Sequence, residues 1–250
     1  MTDWSPLRTA LARHRDTGVN LPVWWRDDDA TKPTPALDQL ETLAAQLSFP
    51  VHLAVIPKTA TEELAKWVAA HDLAFALGHG WTHQNHAPDG YKKSEFGQKK
   101  DGSKSQITKG YHILARLFEG SFLPFFVPPW NRLDTGLLPD IRSAGYLGLS
   151  TFTARSEPHP LPGLTQINCH VDPIDWRGTR GLKDPELIIG EAAARIDARI
   201  EGCEDASEPL GYLTHHLVHT PEIWEFSARF LGELLEGGAT IQPLPLRRSL

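Results

Sequence analysis

Short apolar runs alternate with amphipathic segments along almost the whole chain. The apolar runs have the length and the β-branched or aromatic content of buried strands, and they lie at 22–26, 51–56, 73–78, 123–127, 147–151, 165–171, 210–216 and 239–244. The segments between them have apolar residues at helical spacing, and they lie at 34–47, 59–72, 106–118, 135–145, 185–200 and 221–238. This alternation predicts a parallel sheet with right-handed crossovers.

The ends of two predicted helices have recognisable capping residues. Thr34 is followed by Pro35, which predicts that Thr34 is the N-cap and Pro35 lies in the first turn. Thr59 and Glu62 have the spacing of a capping box and predict the start of the second helix. The polar, lysine- and glycine-rich stretch at 84–106 predicts a long surface loop.

Two parallel architectures fit this pattern, an open doubly wound sheet and a closed or nearly closed barrel. No G-x-G-x-x-G follows any predicted strand, and the chain of 250 residues has the usual length of a (β/α) barrel. No repeat or Pro/Gly/Ser-rich linker divides the chain. We therefore predict an α/β fold of the barrel type, with residues 1–250 as a single domain.

Composition excludes several classes of partner. The net charge of -6 argues against nucleic acid or an anionic membrane surface, because either partner needs a basic patch. No apolar run has the length of a membrane span, and the first residues lack the apolar core of a signal peptide. The cysteines Cys169 and Cys203 are far apart, which favours reduced thiols. These features together predict a cytoplasmic protein.

Polar clusters follow five of the predicted strands. They are R-D-D-D at 26–29, H-G-W-T-H at 79–83, P-P-W-N-R at 128–132, H-V-D-P-I-D-W at 170–176 and T-H-H-L-V-H at 214–219. The carboxyl ends of the strands in a (β/α) barrel meet at one rim, where the functional residues of such barrels lie. The five clusters are therefore predicted to form one site.

Two of these clusters have the composition of a metal site. The consecutive carboxylates Asp27, Asp28 and Asp29 repel one another unless a cation is present. His79 and His83 are four residues apart and can reach one ion. Two imidazoles and one carboxylate are typical ligands of catalytic zinc, which keeps a position open for water or substrate. The alternatives are a solvated acidic turn and a polar loop with hydrogen-bonding histidines.

Two further clusters supply candidate acids and walls for the site. H-V-D-P-I-D-W contributes Asp172, Asp175 and Trp176, although Asp-Pro is also common in turns. His215 and His216 face opposite ways in an extended strand, so only one of them is expected to point into the barrel mouth. Three tryptophans follow the predicted strands and either line a pocket for a sugar or pack in the barrel: Trp81, Trp130 and Trp176.

The order of the five clusters resembles that of the polysaccharide deacetylase family, the NodB-homology domain of chitin-oligosaccharide and peptidoglycan deacetylases. Each cluster is similar to one family motif: R-D-D-D-A at 26–30 to T-F-D-D-G, H-G-W-T-H at 79–83 to H-[ST]-x-x-H, V-P-P-W at 127–130 to R-x-P-[YW], D-P-I-D-W at 172–176 to D-x-x-D-W, and L-T-H at 213–215 to L-x-H. The resemblance spans residues 23 to 216. It implies a distorted (β/α)7-type barrel, with Asp28 as general base and Asp29 as metal ligand.

The resemblance and the residues together predict a metal-dependent hydrolase of a non-peptide amide bond, most simply an N-acetyl group on a sugar. Asp29, His79 and His83 would hold a divalent ion, zinc being expected, and His215 would protonate the leaving amine. A backbone N–H near Trp130 would stabilise the oxyanion. The alternatives are an amidohydrolase of small molecules and a non-catalytic protein that keeps the metal and binds a ligand.

One departure from the family concerns an arginine. The third motif of the family begins with an arginine that orients the catalytic aspartate, and this chain has Val127 there. Arg26 and Arg132 are the candidate replacements. Strand alternation puts Arg26 on the same face as Asp28. We predict that Arg26 reaches Asp172 or Asp175 at the barrel mouth, with Arg132 as the competitor.

Overall fold

In the computed structural model, which describes residues 2–244, the strands form one parallel sheet. The strands are β1 (Pro22–Ala30), β2 (Val51–Val55), β3 (Ala74–His79), β4 (Phe122–Val127), β5 (Gly148–Leu149), β6 (Thr165–Gln166), β7 (Leu210–Thr214) and β8 (Thr240–Ile241). Their order is β6-β5-β4-β3-β2-β1-β7, and β8 pairs with the start of β1.

Helices follow most of the strands and cover the outside of the sheet. They are α1 (Ser5–Asp16), α2 (Pro35–Leu47), α3 (Glu62–Ala69), α4 (Ser103–Leu117), α5 (Leu138–Ala144), α6 (Pro185–Ile200) and α7 (Pro221–Glu236). The buried apolar residues of most helices pack against the outer side of the sheet in one large core cluster, whereas those of α5 and most of those of α4 belong to a second cluster. No helix of residues 2–244 combines the length and the hydropathy that crossing a bilayer requires.

The segment that follows β6 closes the sheet into a barrel. On one side the N–H of Cys169 donates to the carbonyl of Thr151 at 3.0 Å. On the other side the N–H of His170 donates to Gly211 and the N–H of Leu213 donates to Val171, both at 2.8 Å. These bonds join the two edges of the curved sheet. The predicted α/β fold, a distorted (β/α)7-type barrel, is therefore confirmed.

Side chains of β1 alternate between the two faces of this barrel. Trp24 packs inside the barrel with residues of β2, β3, β4 and β7, whereas Trp25 packs outside against the helices. Arg26 and Asp28 follow Trp24 on the inner face because the side-chain period of a strand is two. Asp27 accordingly lies on the outer face with Trp25.

Several predicted element boundaries need correction. Helix α1 was not predicted, and its N-terminal turn contains a proline but has no side-chain cap. The N-cap of α3 is Thr61 rather than Thr59, since the Thr61 hydroxyl accepts from the N–H of Leu64. The N-cap at Thr34 is confirmed. The predicted strands 147–151 and 165–171 are shortened to two residues each, β5 and β6. The residues that follow them form only isolated β-bridges.

Candidate active site

The end of β1 presents two consecutive carboxylates to the mouth of the barrel. The register between β1 and β2 shifts between Asp28 and Ala30, and Asp29 has a φ of 76°. A bulge of this kind breaks the alternation of side chains and re-aims one of them. Asp28 keeps its place on the inner face, while Asp29 turns toward the end of β3.

His79 and His83 meet Asp29 at this point. His79 is the last residue of β3, and the positive φ of Gly80 and of His83, 54° and 57°, folds the loop back so that both imidazoles face the carboxylate. The Nε2 atoms of His79 and His83 lie 3.2 and 3.3 Å from Oδ1 of Asp29. The three candidate ligand atoms all lie within 4.8 Å of one another.

This donor set fits a divalent metal ion. Oδ1 of Asp29 is buried, and no residue in the described part of the chain makes a hydrogen bond to it with good geometry. Nδ1 of His79 faces the carbonyl of Val127 at 3.0 Å, so the proton lies on Nδ1 and the lone pair of Nε2 is free for a ligand. Burial raises the pKa of the Asp29 carboxyl, but the facing imidazoles outweigh burial and hold that pKa well below its usual range.

Arg26 binds Asp28, and the prediction that it reaches Asp172 or Asp175 is wrong. The guanidinium lies against both carboxylate oxygens, with Nε at 2.8 Å from Oδ1 and Nη2 at 3.0 Å from Oδ2. Both side chains are on the inner face of β1, two residues apart, so the guanidinium reaches Asp28 along its own strand. The other partners of Arg26 are Asn131 Oδ1, Ser150 Oγ and the carbonyl of Thr151.

Two predicted supporting residues lie away from this contact. Arg132 donates to the carbonyl of Lys93 in the loop after β3, so it does not take the place of the missing arginine. Asp175 accepts from the N–H groups of Gly178 and Thr179 at 3.0 and 3.1 Å. The role of Asp175 is therefore to shape its own turn.

Asp172, Trp176 and His215 form the opposite wall of the mouth. The carboxylate of Asp172 accepts from the indole N–H of Trp176 at 2.8 Å, and the ring of Trp176 lies edge-on to His215 at 4.7 Å between centroids. Burial raises the pKa of Asp172, an effect that His215 and the indole only partly offset. The imidazole of His215 acts to lower the pKa of both Asp29 and Asp172.

Asp27 and His216 face the helices instead of the mouth. Both are buried, and Nδ1 of His216 lies 2.5 Å from Oδ1 of Asp27. Burial disfavours both charges, but each group stabilises the other, so the pKa of Asp27 lies below its usual value and that of His216 above it. His215 and His216 thus point to different surroundings, but the predicted strand ends earlier, at Thr214, and His216 begins a short 3-10 helix (His216–Val218).

Tryptophans lie on the remaining sides of the site. The ring of Trp130 is 4.3 Å from that of His83 between centroids, in a turn where Trp130 and Asn131 both have a positive φ. Trp176 is exposed at the mouth. Trp81 packs against an apolar cluster below the rim, which is the packing alternative that the sequence left open.

Three residues at the site were not identified from the sequence. Asn131 and Ser150 hold the guanidinium of Arg26. The buried carboxylate of Glu95 accepts from the N–H groups of Trp81 and Thr82, at 3.0 and 2.7 Å, and from the hydroxyl of Thr82. Glu95 lies in a lysine-rich loop, and no spacing in the sequence relates it to H-G-W-T-H.

The fold is thus a closed parallel (β/α) barrel, and its histidine–carboxylate cluster lies at the carboxyl ends of the strands. More specifically, the chain has the fold of the family 4 carbohydrate esterases, the polysaccharide deacetylases. The Bc1960 peptidoglycan N-acetylglucosamine deacetylase has a TM-score of 0.56 and 16% identity, over 90% of this chain and 87% of that one. A family 4 carbohydrate esterase from Streptomyces lividans, solved in complex with acetate, has a TM-score of 0.55 and 16% identity, over 88% and 91%.

A pseudoenzyme also has this fold. BA3943 from Bacillus anthracis, described as a family 4 pseudoenzyme, has a TM-score of 0.57 and 14% identity, over 90% of this chain and 64% of that one. No protein-family model and no curated protein sequence matches the chain. The resemblance predicted from the five motifs is thus confirmed at the level of the fold.

Proposed function

We propose that this protein is a metal-dependent hydrolase that removes an N-acetyl group from a saccharide. The observation that carries the proposal is the convergence of Asp29, His79 and His83 on one point beside a carboxylate, Asp28, that an arginine holds in place. The fold supports the same reaction class, because solved proteins with this fold include a peptidoglycan N-acetylglucosamine deacetylase.

Asp29, His79 and His83 would hold the ion, and two imidazoles with one carboxylate favour zinc. A divalent ion at this position would polarise the acetyl carbonyl and lower the pKa of a water molecule. Asp28 would act as the base that accepts a proton from the attacking water. Arg26 keeps the carboxylate of Asp28 aimed at the mouth through its two contacts.

His215 lies on the opposite wall, where it donates a proton to the amine nitrogen as the C–N bond breaks. The products are then acetic acid, which ionises to acetate, and a free amino sugar; each receives one proton of the water, and the proton taken up by Asp28 replaces the one that His215 gave. Trp130 and Trp176 flank the mouth and offer flat faces to a sugar ring.

Metal analysis and acetate release test the proposal together. We expect about one zinc ion per chain in the wild-type protein, loss of the ion in His79→Ala and His83→Ala, and acetate release from N-acetylated chitin oligosaccharides. Asp28→Asn is expected to keep the ion and lose acetate release. Undiminished metal in both histidine variants contradicts the site, and equal metal loss in Asp28→Asn contradicts the role of Asp28 as base.

A non-catalytic protein that keeps the metal is the second candidate. The observation that favours it is a pseudoenzyme with the same fold, together with Val127 in place of the arginine of the third motif. Under this candidate the wild-type protein binds zinc but releases acetate from neither chitin oligosaccharides nor a small N-acetylated amine. Release from the small amine alone would instead indicate a small-molecule amidohydrolase.

A further inference from the structure

The carboxylate of Asp27 binds the backbone and side chains of the segment that contains His215. Oδ2 accepts from the hydroxyl of Thr214 at 2.7 Å and from the N–H of His216 at 2.9 Å, while Oδ1 accepts from the imidazole of His216. The residues on both sides of His215 are therefore bound to one buried group. Asp27 also neighbours Asp28 and so ties the end of β7 to the end of β1.

His216 has a single strong partner for its side chain. Its Nε2 is buried, and no residue among those described at 2–244 makes a hydrogen bond to it. The orientation of the ring and of the backbone at 215–216 thus depends on Asp27. The backbone of His215 makes two local bonds of its own: its N–H donates to Nε2 of His219 at 3.3 Å, and its carbonyl accepts from the N–H of Val218 at 3.0 Å.

Burying the Asp27–His216 pair costs free energy, because both groups lose their contact with water. Asp27 lies on the outer face of β1 beside Trp25, in an otherwise apolar layer. The family motif that R-D-D-D-A resembles has phenylalanine at this position. Replacing a buried ion pair by well-packed apolar side chains is often neutral or stabilising, so a pair that is kept is better explained by what it orients than by stability.

We propose that Asp27 and His216 are positioning residues that hold His215 at the barrel mouth, against the ring of Trp176. This inference rests on the hydrolase function proposed above, in which His215 protonates the leaving amine. Asp27 and His216 act through the backbone at 214–216 and touch no reacting group. Misplacing a reacting group by about 1 Å can cost about a hundredfold in rate.

The test compares Asp27→Asn with a matched control. Glu208 faces His170 at 3.3 Å in a second buried carboxylate–histidine pair, which lies on the other side of β7; the control variant is Glu208→Gln. In zinc-loaded protein with ¹⁵N-labelled histidine, we expect a far-downfield Nδ1 proton of His216 in the wild type. Asp27→Asn should lose this signal and shift the ring resonances of His215, whereas Glu208→Gln should leave both unchanged.

The kinetic readout separates positioning from folding. We expect kcat of Asp27→Asn to fall about a hundredfold, with KM and metal content close to those of the wild type, and kcat of Glu208→Gln to change less than about twofold. If Asp27→Asn does not fold, Thr214→Val removes one hydrogen bond of Asp27 and should give a smaller loss of kcat with the same shift of His215.

The outcomes also distinguish this inference from the proposed function. Unchanged His215 resonances in both Asp27→Asn and Thr214→Val, or an unchanged kcat in an active enzyme, overturn the positioning role while leaving the hydrolase intact. Wild-type protein that shows the downfield proton and the His215 shifts but no hydrolysis supports the contacts and overturns the proposed function, and with it the catalytic purpose assigned to them.

Discussion

Gly80 occupies a position at which the deacetylase motif has serine or threonine. Its φ is +54°, a conformation that glycine adopts without strain. A Cβ at this position would lie 2.5 Å from the ring of Pro129 and 2.3 Å from the carboxylate of Glu95. The glycine is thus required by the path of this loop, and its departure from the motif has a steric cause.

The first prediction follows from this crowding. Gly80→Ser should lower the free energy of unfolding by about 1–3 kcal/mol and weaken zinc binding, although it restores the residue type of the motif. Chemical denaturation and competition with a chelator measure the two effects. Gly120→Ser is the control, because that glycine also has a positive φ but has no atom near its virtual Cβ. Zinc affinity equal to that of the wild type in Gly80→Ser would show that the loop can take another path.

At Arg26, the planar shape of the side chain is needed for its contacts as well as its positive charge. Its planar guanidinium contacts both oxygens of Asp28 and also reaches Asn131 and Ser150. An ammonium group cannot make these contacts together, because it is a point charge without the planar fork. We therefore propose that Arg26 replaces the arginine of the third motif as the residue that orients Asp28.

The second prediction compares the two arginines near the site. Arg26→Lys should reduce kcat about 10- to 100-fold while zinc content stays the same, because Asp28 loses its bidentate partner. Arg132→Lys should leave kcat near the wild-type value, since Arg132 bonds to the carbonyl of Lys93. The reverse order of the two losses would show that Arg132 is the residue that orients Asp28.

At the scale of elements, the connection between β3 and α4 contains one residue of the candidate metal site, His83. The turn at 80–83 carries His83, and the residues that follow return so that Glu95 binds this turn from behind. The N–H of Asp134 donates to the carbonyl of Phe96, which attaches the same loop to the segment after Trp130. The position of His83 therefore depends on a residue twelve positions later in the chain.

The third prediction tests that dependence. Glu95→Gln replaces an acceptor oxygen by an NH₂ group that faces N–H donors, so the turn at 80–83 should loosen and zinc should bind about 10- to 100-fold more weakly. Competition with a chelator gives the affinity, and circular dichroism checks the fold. The control is Asp101→Asn, an exposed carboxylate in the same loop. Equal zinc affinity in the two variants would contradict the role of Glu95.

For the whole molecule, the interior of the barrel contains a histidine that must stay neutral. His52 is buried between Trp24 and Phe75, with Nδ1 against the carbonyl of Trp25 and Nε2 accepting from the N–H of Leu244. Burial lowers the pKa of His52 from 6.5 to about 4. A second proton would face an N–H donor and has no acceptor in this surrounding.

The fourth prediction is a pH dependence of stability. Between pH 6.5 and 4 the unfolded chain binds the proton and the folded chain does not, so the free energy of unfolding falls as the pH falls. The loss should reach about 3 kcal/mol by pH 4. His52→Gln keeps one donor and one acceptor and should remove this part of the slope in urea denaturation. The control is His112→Gln at an exposed position of α4, for which the wild-type slope is expected. A slope in His52→Gln as steep as in the wild type would contradict the prediction.

The sequence by itself determined the strands, most of the helices and the end of the barrel at which polar residues collect. These features depend on local periodicity and on the rule that parallel strands end at one rim, so they can be predicted without knowing which strand lies beside which. The pairing of His79 with His83 belongs to the same class, because both residues follow one strand within a single turn.

Only the tertiary structure decided the partners of the charged groups. Arg26 binds Asp28 rather than Asp172, because Asp28 lies two residues away on the inner face of the same strand, whereas Asp172 lies on the opposite wall. Asp27 paired with His216, and Glu95 with the turn at 80–83, because the sheet order places β7 beside β1 and the long loop folds back on β3. Such contacts join segments far apart in the chain, and their energies depend on distances and burial that only the packing of the whole barrel sets.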